Sequence, residues 1–157
     1  MMRKFVNVST HFKKTQTMDN DLDRFLKAQE NDYEQALAEI KAERKKSHWM
    51  WYIFPQYKGL GFSETSKHYS IQNLNEARNY LNHPILGSRL KQITNELLLL
   101  NENNANRVFG SPDDLKLKSS MTLFSSIDTS EYKTFIKVLD KYFGGHFDEK
   151  TINLIKE

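Results

Sequence analysis

Residues 84–100 read Pro-Ile-Leu-Gly-Ser-Arg-Leu-Lys-Gln-Ile-Thr-Asn-Glu-Leu-Leu-Leu-Leu, and this stretch decides the fold class. Its apolar residues recur at intervals of three and four, which is the period of one face of an α-helix. These residues are Leu86, Leu90, Ile93, Leu97 and Leu100. Pro84 stands at the first turn, where a helix tolerates a fixed φ and a missing N–H. The stretch therefore predicts an amphipathic helix.

Similar helical patterns extend to both sides of this stretch. Upstream, the sequence predicts one helix capped by Asp19 or Asn20, a second starting at Asp32, and a third capped by Asn73 or Asn75. Downstream, it predicts one helix started by Ser111, Pro112, Asp113 and Asp114, one from Ser130 that stops at Gly144 and Gly145, and a last one capped by Asp148. No alternating strand of useful length is present. We therefore expect an all-α fold, a compact single-domain bundle of about seven to eight short helices.

Basic charge is concentrated at the N-terminus. The chain of 157 residues has 23 Lys and Arg and 20 Asp and Glu, and residues 1–18 hold four of the basic residues and no acid. Residues 19–157 then carry 19 basic and 20 acidic side chains, a net charge of about −1. The pattern predicts a disordered basic tail over residues 1–18 and a single helical domain over residues 19–157. Nucleic-acid binding is the weaker expectation because residues 19–157 are nearly neutral.

Composition also excludes several functional classes. The chain has no cysteine, which rules out disulfides, thiolate metal sites and thiol catalysis. No apolar run approaches the roughly 18 to 20 residues needed to cross a bilayer, so membrane insertion is not expected, and no signal-peptide core follows the N-terminus. We expect a cytoplasmic protein. The five histidines lack ligand spacing, and no phosphate loop or dinucleotide fingerprint is present, so we predict no metal and no cofactor.

The densest aromatic cluster lies at residues 47–56, which read Ser-His-Trp-Met-Trp-Tyr-Ile-Phe-Pro-Gln and contain both tryptophans. Two glycines follow, Gly59 and Gly61. An aromatic wall beside a flexible polar loop predicts a pocket.

The motifs His48-Trp49-Met50-Trp51, Phe54-Pro55-Gln56, Gly59-Leu60-Gly61, His83-Pro84, Leu86-Gly87, Phe109-Gly110 and Ser119-Ser120-Met121-Thr122 occur in this order. In this respect the chain resembles the bacterial family of unknown function number 1810, from about residue 21 to the C-terminus. The resemblance implies a small all-helical cytoplasmic domain with no agreed activity. Members are often labelled calpastatin, but calpastatin is a disordered repeat protein, whereas this chain has an apolar face for every predicted helix.

Each candidate residue of the pocket has a structural and a functional interpretation. His48 locks a turn or acts as a general acid or base. Trp49 and Trp51 point about 200° apart if the run is helical, so at least one belongs to the core and the other is free to stack on a ring. Gln56 has an amide suited to a base or a ribose, and Lys58 and Ser63 bracket the glycine loop.

Further along the chain, His83 is expected to cap the helix that follows it, and Arg89 either pairs with a carboxylate or binds phosphate. Lys116 stands three residues after Asp113, which is the spacing of an intrahelical ion pair, and the alternative is that it binds the anion of a ligand. Ser119 and Ser120 allow the close approach of another helix or present hydroxyl groups to a ligand.

Three functions remain open. The first is a pocket for an anionic, nucleotide- or ADP-ribose-like ligand, with hydrolysis assisted by His48. The second is a non-catalytic module that recognises a peptide or protein through an aromatic surface. Nucleic-acid binding is the third. Whether the chain is an enzyme stays open from the sequence.

Overall fold

The computed structural model describes the backbone from Met2 and the side chains of residues 21–157. Nine helices occur in this part of the chain. They are α1 (Met2–Lys41), α2 (Met50–Ile53), α3 (Glu64–His68), α4 (Leu74–Asn82), α5 (Leu86–Leu99), α6 (Ala105–Phe109), α7 (Asp113–Ser125), α8 (Thr134–Phe143) and α9 (Glu149–Lys156). The all-α prediction is confirmed, and the helix count is slightly higher than predicted. The tail predicted over residues 1–18 lies outside the described side chains and stays a prediction.

The prediction of two separate N-terminal helices is wrong, because a single helix, α1, replaces them. It continues through Asp32 to Lys41 without a break. The Asp32 carboxylate accepts a hydrogen bond from the Tyr52 hydroxyl instead of capping a new helix. The buried stripe also runs on in one register across this point, through Phe25, Gln29, Tyr33, Ala36 and Ile40.

The starts of two later helices differ from the predictions. Helix α8 begins at Thr134 rather than at Ser130, because the side chains of Asp128 and Ser130 bond the backbone N–H groups of Ser130 and Tyr132 in turns. Helix α7 begins at Asp113, and its N-cap residue is Pro112, which has no side-chain acceptor, so the predicted Ser111 cap is wrong. The short helices α2, α3 and α6 have four or five residues each and were not predicted from the pattern.

The predicted helix caps of α4, α8 and α9 are confirmed. Asn73 accepts a hydrogen bond from the Glu76 N–H at the start of α4, and Asp148 accepts one from the Thr151 N–H at the start of α9. Gly144 ends α8 in the left-handed conformation, with φ of 61°.

Helix α5 lies at the centre of the bundle and packs against α1, α4 and α8. Its inward residues Leu86, Leu90, Ile93 and Leu97 are all buried, as predicted. Burial of each such side chain contributes about 1.5–3 kcal/mol. Its C-terminal carbonyl groups are bonded from α8: the Lys141 ammonium donates to Leu97, Leu98 and Leu100, and the Tyr142 hydroxyl donates to Leu97.

Candidate functional site

A cavity of about 410 Å³ lies beside the aromatic block, between the segment that follows α2 and the segment around α3. Three of the predicted ligand-binding residues line it: Trp51, Gln56 and Lys58. The other lining residues are Tyr57, Gly59, Gly61, Phe62, Ser66, Lys67, Ser70 and Gln72. The structure thus brings part of the predicted site together around one hollow.

One wall of the cavity is held by an isolated parallel bridge between Tyr57 and Ile71. The Ile71 N–H donates to the Gln56 carbonyl at 2.8 Å, and the Lys58 N–H donates to the Ile71 carbonyl at 2.9 Å. The Ile71 side chain is fully buried in the core. Because the bridge fixes both backbone segments, the residues that flank it, Gln56 and Lys58 with Ser70 and Gln72, have fixed positions in this wall.

The glycine loop, residues 59–62, forms a second wall and needs both of its glycines. A Cβ atom on Gly61 would come closer than 3.0 Å to the side chains of Ser66 and Trp51. Gly59 has φ of +98°, a conformation that side chains strongly disfavour, and a Cβ there would lie 3.2 Å from Leu154 of α9. The glycines therefore let the loop lie against Trp51 on one side and α9 on the other.

Two aromatic side chains border the cavity. Trp51 is partly buried, and the Lys116 ammonium lies 4.2 Å from the centre of its ring. This cation–π contact holds the indole in place. Phe62 is 83% exposed although it is a large apolar residue. An aromatic ring left in water at the edge of a cavity is available to stack on a planar ligand.

Gln56 is only 5% exposed, and its side-chain nitrogen has no hydrogen-bond partner among the described residues. A buried polar group without a partner costs about 1–3 kcal/mol. Native proteins leave few such groups unsatisfied, and those that exist often mark a functional site. The side-chain nitrogen of Gln56 is thus a buried donor that no described residue uses.

The cavity is electropositive. Lys58 and Lys67 are exposed and line it, and no carboxylate is among the lining residues. Lys116, behind Trp51, forms the predicted ion pair with Asp113 at 3.0 Å, and Lys45 pairs with the same carboxylate at 2.8 Å. Burial disfavours the charged form of Asp113, but its two lysine partners more than offset this and lower its pKa.

Trp49 belongs to the core and not to the cavity. It is 1% exposed, and its indole N–H donates to Glu39 at 2.9 Å. Glu39 also accepts hydrogen bonds from the Lys46 N–H and from the Ser47 N–H and hydroxyl. Burial alone would raise the pKa of Glu39, but these four donors outweigh it and lower the pKa to about 2. The sequence prediction that at least one tryptophan is core holds for Trp49.

His48 and Ser63 lie near the cavity but do not line it. His48 is exposed, and its backbone carbonyl accepts a hydrogen bond from the Tyr52 hydroxyl at 3.1 Å. Ser63 caps α3, with its side chain accepting from the Ser66 N–H at 3.1 Å.

His83 and Arg89 lie elsewhere, at the start of α5. The His83 ring nitrogen Nδ1 accepts from the N–H groups of Ile85 at 3.1 Å and Leu86 at 3.2 Å, which is the predicted capping role. The Arg89 guanidinium lies 5.3 Å from the centre of the Tyr33 ring and donates to Gln29 at 3.4 Å. Neither residue lines the cavity.

Ser119 and its neighbour Thr122 attach α9 to α7. The Ser119 hydroxyl donates to the Asp148 carboxylate at 2.9 Å, and the Asp148 N–H donates to the Thr122 hydroxyl at 2.9 Å. Ser120 is fully buried, and its hydroxyl has no partner among the described residues. The hydroxyl-rich middle of α7 therefore holds another helix close, which is one of the two predicted uses.

Sequence reasoning missed several lining residues. Ser66, Ser70 and Gln72 reach the cavity only through α3 and the bridge at Ile71, and neither of these has a sequence pattern. Phe62 could have been identified from the sequence, because an aromatic residue directly after Gly-Leu-Gly lies in a loop that is expected to be exposed.

Across residues 21–157, no three His, Asp or Glu side chains come together as a metal ion would require. In the same part of the chain, no helix is both long and apolar enough to cross a bilayer.

Comparison with known proteins places the chain in a family. Residues 19–155 match the model of a protein family described as "Protein of unknown function (DUF1810)". A solved structure, the conserved hypothetical protein Rv1873 from Mycobacterium tuberculosis, is 42% identical, with a TM-score of 0.84 over 87% of this chain and 97% of that one. No match was found among curated proteins. The family model covers nearly the whole chain, and the protein therefore belongs to the DUF1810 family.

Proposed function

We propose that this protein binds a small anionic ligand that carries a planar ring, of the nucleotide or ADP-ribose type, in the cavity beside Trp51. The single observation that carries the proposal is the buried side-chain nitrogen of Gln56, which has no partner within the described residues and belongs to a residue in the wall of an electropositive, aromatic-edged cavity.

The aromatic residues supply the ring-binding part of the site. Trp51 is fixed by Lys116 and by the close backbone of Gly61, so its orientation costs little entropy when a ligand binds. Stacking of a nucleobase on an aromatic side chain contributes about 1–3 kcal/mol. Exposed Phe62 offers a second ring at the cavity edge.

The lysines supply the anion-binding part. Lys58 is fixed through its backbone by the bridge to Ile71, while Lys67 extends from α3. Neither ammonium is paired with a carboxylate within the described residues, whereas Lys45 and Lys116 share Asp113. Lys58 and Lys67 are therefore free to bind a phosphate group.

Hydrolysis is not part of this proposal. His48, the predicted acid or base, is exposed and does not line the cavity. A general base has to come within hydrogen-bond reach of the proton that it removes.

The test is a thermal-shift and fluorescence titration with four probes: AMP, ADP-ribose, adenosine and ribose 5-phosphate. AMP has ring and phosphate, whereas adenosine lacks the phosphate and ribose 5-phosphate lacks the ring. A ligand at 100 times its Kd adds about 2.7 kcal/mol, which raises the Tm of a domain of this size by about 5–10 °C. We expect AMP or ADP-ribose to give this shift and to quench tryptophan fluorescence, with adenosine and ribose 5-phosphate much weaker.

Two variants locate the binding. The double variant Lys58→Ala/Lys67→Ala is expected to lose the shift, while the matched control Lys27→Ala/Lys41→Ala, two exposed lysines of α1, keeps it. Trp51→Phe should abolish the fluorescence quenching. Binding that survives in the Lys58/Lys67 variant, or no binding of any ring-bearing phosphate, contradicts the proposal.

The alternative of protein recognition through exposed tryptophans has less support. Trp49 is buried and bonded to Glu39, so the two tryptophans do not form a common exposed patch.

A further inference from the structure

We infer that the ligand is a mononucleotide and that Gln56 determines which base the cavity accepts. This inference rests on the proposed function and narrows it to a ligand class and a specificity residue. It depends on the size of the cavity, the fixed backbone of Gln56 and the difference in burial between Gln56 and the two lysines.

Cavity size favours one nucleotide over two. Ligand pockets commonly have volumes of about 300–1,000 Å³, and the volume here, about 410 Å³, is near the lower limit. A single base with its sugar and phosphate suits such a volume. A dinucleotide, or ADP-ribose with its second sugar, would extend into solvent and gain less from the cavity walls.

The Gln56 side chain suits the edge of a base. A carboxamide carries a donor and an acceptor side by side, and the edges of nucleobases present the matching pair. A site that buries such a group discriminates strongly, because a ligand without the matching edge leaves the group unpaired. The aromatic rings do not discriminate in this way, since every base has a face on which to stack.

The backbone holds Gln56 in position for this role. Its carbonyl accepts the Ile71 N–H, and Lys58, two residues later, donates to the Ile71 carbonyl. The bridge therefore fixes the backbone of Gln56 and of Lys58 along the same wall. The carboxamide is 5% exposed and the ammonium group of Lys58 belongs to an exposed residue, which places base recognition at depth and phosphate binding near solvent.

Isothermal titration of AMP, GMP, UMP and CMP tests this inference in the full-length chain. We expect the Kd values of the wild type for the four nucleotides to differ by at least tenfold, and those of Gln56→Leu to differ by less than threefold. Lys58→Ala is the matched control in the same wall: it should weaken all four by a similar factor and keep their order. ADP-ribose is expected to bind no more tightly than AMP.

Because the amide nitrogen has no partner among the described residues, Gln56→Leu should fold with an unchanged or higher Tm. If Gln56→Leu does not fold, Gln56→Met replaces it in the titration. Binding of all four by the wild type with no effect of Gln56→Leu on the spread overturns the base-reading role and leaves the proposed function intact. ADP-ribose that binds tenfold more tightly than AMP overturns the mononucleotide assignment. Failure of the wild type to bind any of the probes removes the proposed function as well.

Discussion

Glu39 shows how one residue organises the aromatic block. Its carboxylate accepts hydrogen bonds from the Lys46 and Ser47 N–H groups, the Ser47 hydroxyl and the Trp49 indole. These bonds fix the chain between α1 and α2. Trp51 follows two residues after Trp49, so the position of the cavity wall depends on a carboxylate that does not touch the cavity.

The lowered pKa of Glu39 predicts acid sensitivity. A carboxylate whose pKa is lower in the folded than in the unfolded state stabilises the fold above its ordinary pKa, and this contribution is lost as the pH falls. Here the loss should occur between about pH 4.5 and pH 2. Urea unfolding measured across this range should show a falling free energy of unfolding.

Glu39→Gln is the control for this effect, because it cannot titrate. We expect the variant to be less stable at pH 7, since an amide brings an N–H group among four donors, and to lose less stability with falling pH than the wild type. Asp113, whose pKa is also lowered, still titrates in the variant, so the free energy of unfolding of Glu39→Gln should still depend on pH to some extent. Equal acid slopes in the two proteins would show that Glu39 does not carry the effect.

At the level of elements, the contact of α4 with α5 depends on Gly87. A Cβ atom there would come closer than 3.0 Å to the backbone carbonyl of Leu81, at the end of α4. The turn between the helices is also fixed by His83, whose ring accepts two N–H groups of the following turn. The motif His83-Pro84 with Leu86-Gly87 is therefore the sequence of a tight helix–helix corner.

Gly87→Ala is expected to destabilise the protein by about 2–4 kcal/mol, because backbone cannot move aside as a flexible side chain can. The measurement is chemical unfolding at neutral pH. Gly110→Ala is the matched glycine control. Gly110 has φ of +74° and ψ of 173°, a conformation found almost only in glycine, and open space around it, so backbone strain of about 1–3 kcal/mol without a steric clash is expected. A Gly87→Ala variant no less stable than Gly110→Ala would contradict the close contact.

The corner between α4 and α5 illustrates which helix boundaries could be predicted from the sequence. The stripe of α5, the caps Asn73, His83 and Asp148 and the stop at Gly144 were predictable because each depends on neighbours within a few residues. The start of α8 was not, since two side chains of the preceding turn compete for the N–H groups of the first expected residues. The continuity of α1 was visible in its apolar period, but Asp32 resembled a cap because its partner, Tyr52, is distant in sequence.

At the level of the whole molecule, the cavity was predictable only in part. Trp51, Gln56 and Lys58 are close in sequence and were found together. Their neighbours Lys67, Ser70 and Gln72 arrive through one pair of backbone hydrogen bonds at Ile71, which has no sequence pattern. Arg89 and Lys116 were both assigned to anion binding, yet they face Tyr33 and Trp51 respectively, because a long cationic side chain serves ring contacts as readily as ligands.

Charge distribution gives a prediction for the full chain. A protein that begins at Met18 lacks Arg3, Lys4, Lys13 and Lys14 and keeps every buried residue of the described part of α1, of which Leu22 is the first. We expect its free energy of unfolding to stay within about 1 kcal/mol of the full-length value. Any weak, salt-sensitive binding of duplex DNA should be lost, because residues 19–157 carry about −1 net charge. Gel-shift assays at low salt and urea unfolding measure the two effects. If the shortened protein still bound DNA, the nucleic-acid surface would lie within residues 18–157 and the prediction would be wrong.

The contact between Gly59 and Leu154 has a consequence for biosynthesis. The glycine loop is translated before α9, the helix that lies against it. A nascent polypeptide that has reached only α8 can assemble much of the bundle and still lacks one support of the cavity rim. The cavity therefore gains this support only after α9 has been translated.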